Sequence, residues 1–223
     1  MPINRDIWVF DLDNTLYPAS ANLFALMDIK MGEYVARVEG VDLIEAKRIQ
    51  KAYFRDHGTT LSGLMARHSI DPDHFLDYVH DIDLDVLTAD ASLVASIESL
   101  PGRKLVFTNA DSDYGQKVLD RLGLGSTFEA IFDIRDAGYV PKPEMAPYDA
   151  FCTRHGVDPT RAIMFEDMAR NLAPAKALGM GTVWINNGSE QATQLEDASH
   201  IDHETQELAP WLTQYLNDQR NAA

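Results

Sequence analysis

An α/β fold built on a doubly wound parallel sheet, with a small helical domain inserted near its start, is what this sequence of 223 residues predicts. Three observations carry that expectation. Short apolar runs of strand length recur at DIWVF (6–10), KLVFT (104–108), AIFD (130–133), AIMF (162–165) and TVWI (182–185). Stretches of helical period separate the later runs, and such alternation favours parallel strands covered on both faces. The interval from 19 to 88 breaks the alternation with helical patterns alone. The expected division is a Rossmann-like core in two segments, 1–18 and 89–223, around a four-helix cap at 19–88.

Taken in order, the cap opens with Leu23, Leu26, Met27, Met31, Tyr34, Val35 and Val38 on one helical stripe. Asp42 with Glu45 resembles a capping box that opens a second helix, which Gly58 stops. GTTLSGLMARH carries a third pattern, and DPDHFLDYVHD a fourth with Asp71 as N-cap and Pro72 at the first helical position. In the second core segment Val118, Leu119 and Leu122 precede Gly123, while Leu172, Ala175 and Leu178 precede Gly179. The stretch EQATQLEDASHIDHETQEL, with His200 and His203 among acids, reads as a solvated loop around a short strand rather than a metal cluster.

Composition limits the partners. With 19 Lys plus Arg against 35 Asp plus Glu, the net charge of −16 repels nucleic acid polymers and anionic membrane surfaces. A small anionic ligand must then be held by local cations. No run approaches the roughly 18 apolar residues of a membrane span, and the first residues lack the apolar segment of a signal peptide. The one cysteine, Cys152, forms no intramolecular disulfide and reads as packing, so a cytoplasmic protein is expected. Oligomeric state is left open.

In an open parallel sheet, ligands bind beyond the carboxyl ends of the strands, so the residues just past each strand end are the place to look for a site. Asp11 and Asp13 come after the first, Thr108 and Asn109 after the second, Lys142 after the third, and Glu166 with Asp167 after the fourth. Carboxylates converging there disfavour one another's ionised forms, and a divalent cation resolves the conflict. An oxygen-only donor set without Cys or His suits Mg²⁺ rather than zinc. Lys142, restricted by Pro141 and Pro143, joins the Thr108 hydroxyl and Asn109 amide in a cradle for a dianionic phosphoryl group. The helix expected after Thr108 would add N–H donors from its first turn. Asp11 is then the residue to attack phosphorus, and Asp13 the one to move protons.

Residues outside this set have two readings each. Thr15 either stiffens the turn or supports the site. Asn171 either caps the helix containing Pro174 or orients the acidic pair. Thr59 and Thr60 either donate to a leaving group or cap the third helix. Tyr17, Tyr53, Phe54 and Tyr139 either stack on a base or belong to the core.

D-x-D-x-T after the first strand, a strand-ending Thr, an isolated Lys and a strand-ending acidic pair, in this order, resemble the haloacid dehalogenase-like phosphohydrolase superfamily. Within it, DLDNTLYP, GTTLSGL, FTNA, VPKPE and FEDMARNLAPAKALGM look similar to the pyrimidine 5′-nucleotidase-like subfamily. The resemblance implies Mg²⁺-dependent hydrolysis of a phosphomonoester, with Asp11 as nucleophile and Asp13 as acid and base. It also implies that Asp11, the main-chain carbonyl of Asp13 and Asp167 hold the metal, with Glu166 nearby or bound through water. Thr108, Asn109 and Lys142 would hold the phosphate of a nucleotide. Dehalogenases of the superfamily lack the second aspartate, which points away from their chemistry. Two rivals remain: a phosphatase of another small metabolite, such as a sugar phosphate or phosphoglycolate, and a signalling module that stores phosphate on aspartate.

Overall fold

The computed structural model describes residues 5–188 and 197–222, so the EQATQLE part of the acidic stretch lies outside the described residues. Among the described residues the strands are β1 (Ile7–Phe10), β2 (Arg103–Phe107), β3 (Ala130–Phe132), β4 (Ala162–Glu166), β5 (Gly181–Ile185) and β6 (His203–Thr205). They form one all-parallel sheet in the order β3-β2-β1-β4-β5-β6. The predicted doubly wound sheet is what the chain adopts.

Strand β1 shows why the apolar runs are continuous. Trp8 and Phe10 point into one cluster, built with α5 (Ala91–Ser99), α6 (Ser112–Arg121) and α9 (Leu208–Ala222). Ile7 and Val9 point into the other, built with α7 (Met145–His155) and α8 (Leu172–Ala177). A strand buried on both faces has no polar side to present. The rings of Phe10 and Phe165 stack at 4.6 Å across β1 and β4, and those of Phe107 and Phe151 at 5.1 Å on the opposite face.

The interval after β1 holds α1 (Leu23–Glu39), α2 (Leu43–His57), α3 (Thr60–Arg67) and α4 (Pro72–Val79). These helices share an apolar cluster that includes Tyr34, Val35, Tyr53, Leu64, Phe75 and Val79. Leu23 and Met27, in the first turns of α1, pack instead with Trp8 and Phe10. The caps follow local chemistry. Asp42 accepts from the Ile44 and Glu45 amides at 3.0 and 2.9 Å, and Asp71 accepts from Asp73 with Pro72 beginning α4. The capping box is only half formed, however: the Glu45 carboxylate turns to Arg48, a charged partner one turn on, rather than back to the Asp42 amide.

Gly63 lets α3 approach α2 closely. A Cβ there would fall 2.4 Å from the Tyr53 side chain, well inside contact distance. Gly63→Ala is therefore expected to destabilise the protein by about 1–3 kcal/mol through overpacking, read as a lower urea midpoint at unchanged slope. Among the described residues no helix is long and apolar enough to cross a membrane.

Candidate active site

The strand order reverses about β1, whose neighbours are β2 and β4, and this is where an open α/β sheet leaves a crevice at its carboxyl edge. Register sets the convergence. Phe10 lies level with Val106 and with Phe165, so the residues just beyond these strands emerge side by side. The Asp11 amide donates to the Phe165 carbonyl at 2.9 Å, and the Thr108 amide to the Phe132 carbonyl at 3.0 Å.

Carboxylate oxygens of Asp11, Glu166 and Asp167 lie within 4.8 Å of one another, and all three residues are buried. Lys142 sits among them with 1% of its surface exposed. Its Nζ donates to Asp11 Oδ1 at 2.7 Å, to Glu166 Oε2 at 2.9 Å and to the Phe107 carbonyl at 2.8 Å. Asn171 donates its amide to the other Glu166 oxygen. The Trp184 indole donates to the Asp167 carbonyl at 2.8 Å and so ties that loop to β5.

The electrostatics follow from burial. Desolvation and the repulsion of Asp11 push the Glu166 carboxyl up to about 7, against the pull of Lys142 and Asn171. Desolvation, Glu166 and Asp11 likewise raise Asp167. Burial alone would lower the Lys142 ammonium, but Asp11 and Glu166 outweigh it and hold the amine charged. One ammonium facing three carboxylates leaves negative charge uncompensated, and the donors are all oxygen. The set therefore fits a hard divalent cation.

Asp13 stands apart from this cluster. Its Oδ1 accepts from two phenols, Tyr17 at 2.6 Å and Tyr114 at 2.9 Å. Desolvation and the charge of Asp11 raise its carboxyl, with the two phenols opposing. Thr15 lies nearby in sequence, its hydroxyl buried and with no partner among the described residues.

Several candidate side chains have partners of their own. Asn109 commits both ends of its amide to the Lys142 backbone, its Oδ1 accepting from N–H at 2.8 Å and its Nδ2 donating to C=O at 3.3 Å. It thus fixes the lysine between its prolines. Thr108 accepts from the Ala110 amide at 3.0 Å and is buried, with its hydroxyl proton still to donate. Two amides of the first turn of α6 are already paired: Asp111 accepts from the Tyr114 amide and Asp133 from the Ser112 amide, at 2.9 and 2.8 Å. Asn171 makes no side-chain cap: its Nδ2 donates to Glu166, and its Oδ1 has no partner among the described residues.

The helices after β1 come up to the site through the turn between α2 and α3. Arg170 donates to the Gly58 carbonyl at 3.1 Å and lies 4.6 Å over the Phe54 ring. A Cβ on Gly58 would come 3.7 Å from the Pro141 ring, so this turn rests beside the loop that carries Lys142. Thr59 there is the N-cap of α3, accepting from the Ser62 amide at 3.1 Å, and Thr60 is buried at the first residue of that helix. The aromatic candidates are engaged as well. Tyr53 is buried with its phenol on Glu39, Tyr139 donates to Asp73 at 2.9 Å, Phe54 is covered by Arg170 and Tyr17 holds Asp13.

The sequence alone does not single out Tyr114 or Arg170. Tyr114 stands three residues after the N-cap Asp111, a spacing that carries no hint of its 101-residue reach to Asp13. A cation three residues beyond Asp167 is the signal available for Arg170.

Comparison with known proteins agrees with this architecture. The model of the haloacid dehalogenase-like hydrolase family matches residues 6–179. Phosphate metabolism protein 8 of Saccharomyces cerevisiae is 26% identical over 197 residues, covering 80% of this chain and 61% of the yeast protein, so the chain spans about three fifths of that relative. A HAD phosphatase from Thermococcus onnurineus superposes with a TM-score of 0.64 at 18% identity, covering 95% of this chain and 97% of the other. A HAD hydrolase from Bacillus subtilis bound to magnesium gives 0.62 at 16% identity, covering 96% and 99%. The L-2-haloacid dehalogenase of Xanthobacter autotrophicus gives 0.55 at 19% identity, covering 94% and 97%. These structural likenesses speak for the fold, and the reaction has to be argued from the site. By the family match and by the topology that gathers its carboxylates, the chain belongs to the haloacid dehalogenase-like hydrolases.

Proposed function

We propose that the protein is a Mg²⁺-dependent phosphomonoester hydrolase working through an aspartyl phosphate on Asp11. The observation that carries this reading is the pairing of Asp11, held by Lys142, with a second carboxylate two residues on whose geometry is set by two phenols. A dehalogenase has no use for that second acid.

Asp11, Asp167 and the main-chain carbonyl of Asp13 would hold Mg²⁺, with Glu166 close by. When bound, the ion neutralises the carboxylates and polarises a phosphoryl oxygen. The remaining chemistry belongs to the chain. Lys142 and the Thr108 hydroxyl bind the phosphoryl oxygens, while Asn109 keeps the Lys142 backbone in place. An Asp11 oxygen bonds to phosphorus as the phosphorus–oxygen bond to the leaving group breaks. Asp13, whose raised carboxyl favours carrying a proton, gives that proton to the departing oxygen. Water then adds to phosphorus, Asp13 takes its proton, and the Asp11–phosphorus bond breaks to release phosphate.

Residues 19–88 act as the lid in this reading, with Arg170 tying the turn at Gly58 to the acidic loop. The substrate we infer is a pyrimidine nucleoside 5′-monophosphate, on the likeness of the FEDMARN and DLDNTLYP strings to that subfamily. A second reading, a smaller phosphorylated metabolite such as a sugar phosphate or phosphoglycolate, is favoured by one observation: each aromatic considered for base stacking is already engaged. We place the protein in the cytoplasm, a reducing compartment that suits Cys152, whose thiol burial pushes up to about 11.

A panel of UMP, CMP, AMP and sugar phosphates, run with Mg²⁺ and with EDTA, tests these points together. Phosphate release should depend on the ion and return when Mg²⁺ is restored. Preference for UMP and CMP supports the nucleotide assignment, while preference for sugar phosphates replaces it with the second reading. Undiminished rates in EDTA would sink the metal argument.

A further inference from the structure

The last helix of the cap is closed by a residue that reaches the acid/base carboxylate indirectly. His80 directly follows α4, its amide closing that helix on Leu76 at 3.0 Å. Its ring stacks on Tyr114 with centroids 4.2 Å apart and planes 12° from parallel. His80 Nδ1 bonds to Asp111 Oδ2, and the side chains of the pair are only 9% and 5% exposed. The other Asp111 oxygen accepts from the Tyr114 amide and lies 3.6 Å from Arg135, which also meets Asp73 on α4 at 2.7 Å. His80 is thus anchored to the same carboxylate that fixes the Tyr114 backbone. Tyr114 has two constraints, its main chain on Asp111 and its ring face on His80, and its phenol ends on Asp13.

We propose that His80 is a positioning residue for Asp13, acting through Tyr114, so that the residue closing the cap's final helix helps set the acid/base geometry in the core. The inference rests on the reaction assigned above. Two phenols donate to one oxygen of Asp13, and together they occupy the two lone pairs of Oδ1. Proton exchange with leaving group and water is thereby left to Oδ2. That selection holds only while the Tyr114 phenol stays in place, which is what the stacked imidazole secures. Disturbing His80 should therefore affect the two steps that use Asp13 and leave phosphate binding alone.

The experiment uses the full-length enzyme with Mg²⁺, p-nitrophenyl phosphate and an alkyl phosphate. His80→Asn keeps a donor toward Asp111 and removes the stack, while Tyr114→Phe keeps the ring and removes only the phenol. With the alkyl phosphate, where both steps use Asp13, each should lower kcat about 10- to 100-fold with KM within about threefold of wild type. With p-nitrophenyl phosphate, whose leaving group needs little protonation, the acid-quenched phosphoenzyme fraction should rise, because only the second step then depends on Asp13. The double variant should be no slower than Tyr114→Phe alone. A higher KM at unchanged kcat, a fall in kcat on p-nitrophenyl phosphate without phosphoenzyme accumulation, or additive losses would each overturn the role of His80. If His80→Asn does not fold, Tyr114→Phe decides: wild-type kcat in that variant removes the route from His80 to Asp13. A wild type that turns over normally while both variants match it defeats this inference alone. A wild type that hydrolyses no phosphomonoester defeats the reaction reading and this inference together.

Discussion

Asp11→Asn is expected to reduce turnover by on the order of 10⁴-fold or more while leaving a folded protein. The amide matches the carboxylate in shape but is a poor nucleophile, so no bond to phosphorus forms. Lys142 keeps Glu166 and the Phe107 carbonyl as partners, and one source of repulsion within the acidic cluster is gone. The unfolding midpoint without metal should accordingly not fall. Phosphate release gives the rate, and intact mass after acid quench reports the covalent state. Asp13→Asn supplies the complementary result: it should retain the phosphoryl group on Asp11, because the second step loses its base. A phosphoenzyme equally long-lived in wild type would favour a phosphate-storing module over an enzyme. Near-normal turnover in Asp11→Asn would refute the nucleophile assignment.

Much of this was legible because the relevant signals are local. A strand buried on both faces must be apolar throughout, so DIWVF and AIMF announced themselves, and Asp71 followed by Pro72 marked the start of α4. The convergence of Asp11, Lys142, Glu166 and Asp167 was inferable from topology, since parallel strands deliver the residues at their ends to one edge. What escaped depends on partners distant along the chain. Asp133 takes the Ser112 amide from 21 residues away and so removes one of the donors expected at the start of α6. The side-chain amide of Asn109 pairs with the backbone of Lys142, 33 residues on, a partner that no local pattern shows. Glu45 had two candidate partners, and the ionic one won, as charge-assisted bonds usually do. His80 and Tyr114 carry no sequence pattern linking them to Asp13, and only packing joins them.

Lys142→Met should cost both stability and activity, and the two losses can be separated. Methionine has a similar length and fills the same buried space, but it donates no hydrogen bond. Asp11 and Glu166 then share a buried site without their ammonium, and the Phe107 carbonyl loses its donor. Removing one partner of a buried ionic set is expected to cost about 3–5 kcal/mol, to be read by urea unfolding without metal. The deficit should depend on pH in a defined direction. A carboxyl whose folded value lies above its unfolded one binds its proton more tightly when folded, so stability falls as pH rises between the two. Glu166 already sits up at about 7 beside Lys142, and without the ammonium it moves higher. The variant therefore goes on losing stability above that pH, where the wild type has stopped, and the gap should be wider at about pH 8 than at about pH 6. Adding Mg²⁺ should narrow it, because a cation replaces part of the missing charge. Activity should fall by about 10²–10³-fold even under conditions that restore the fold, since the phosphoryl group has lost the ammonium that meets its charge. A variant as stable as wild type at the higher pH without Mg²⁺ would show that Lys142 is not what makes this acidic cluster tolerable.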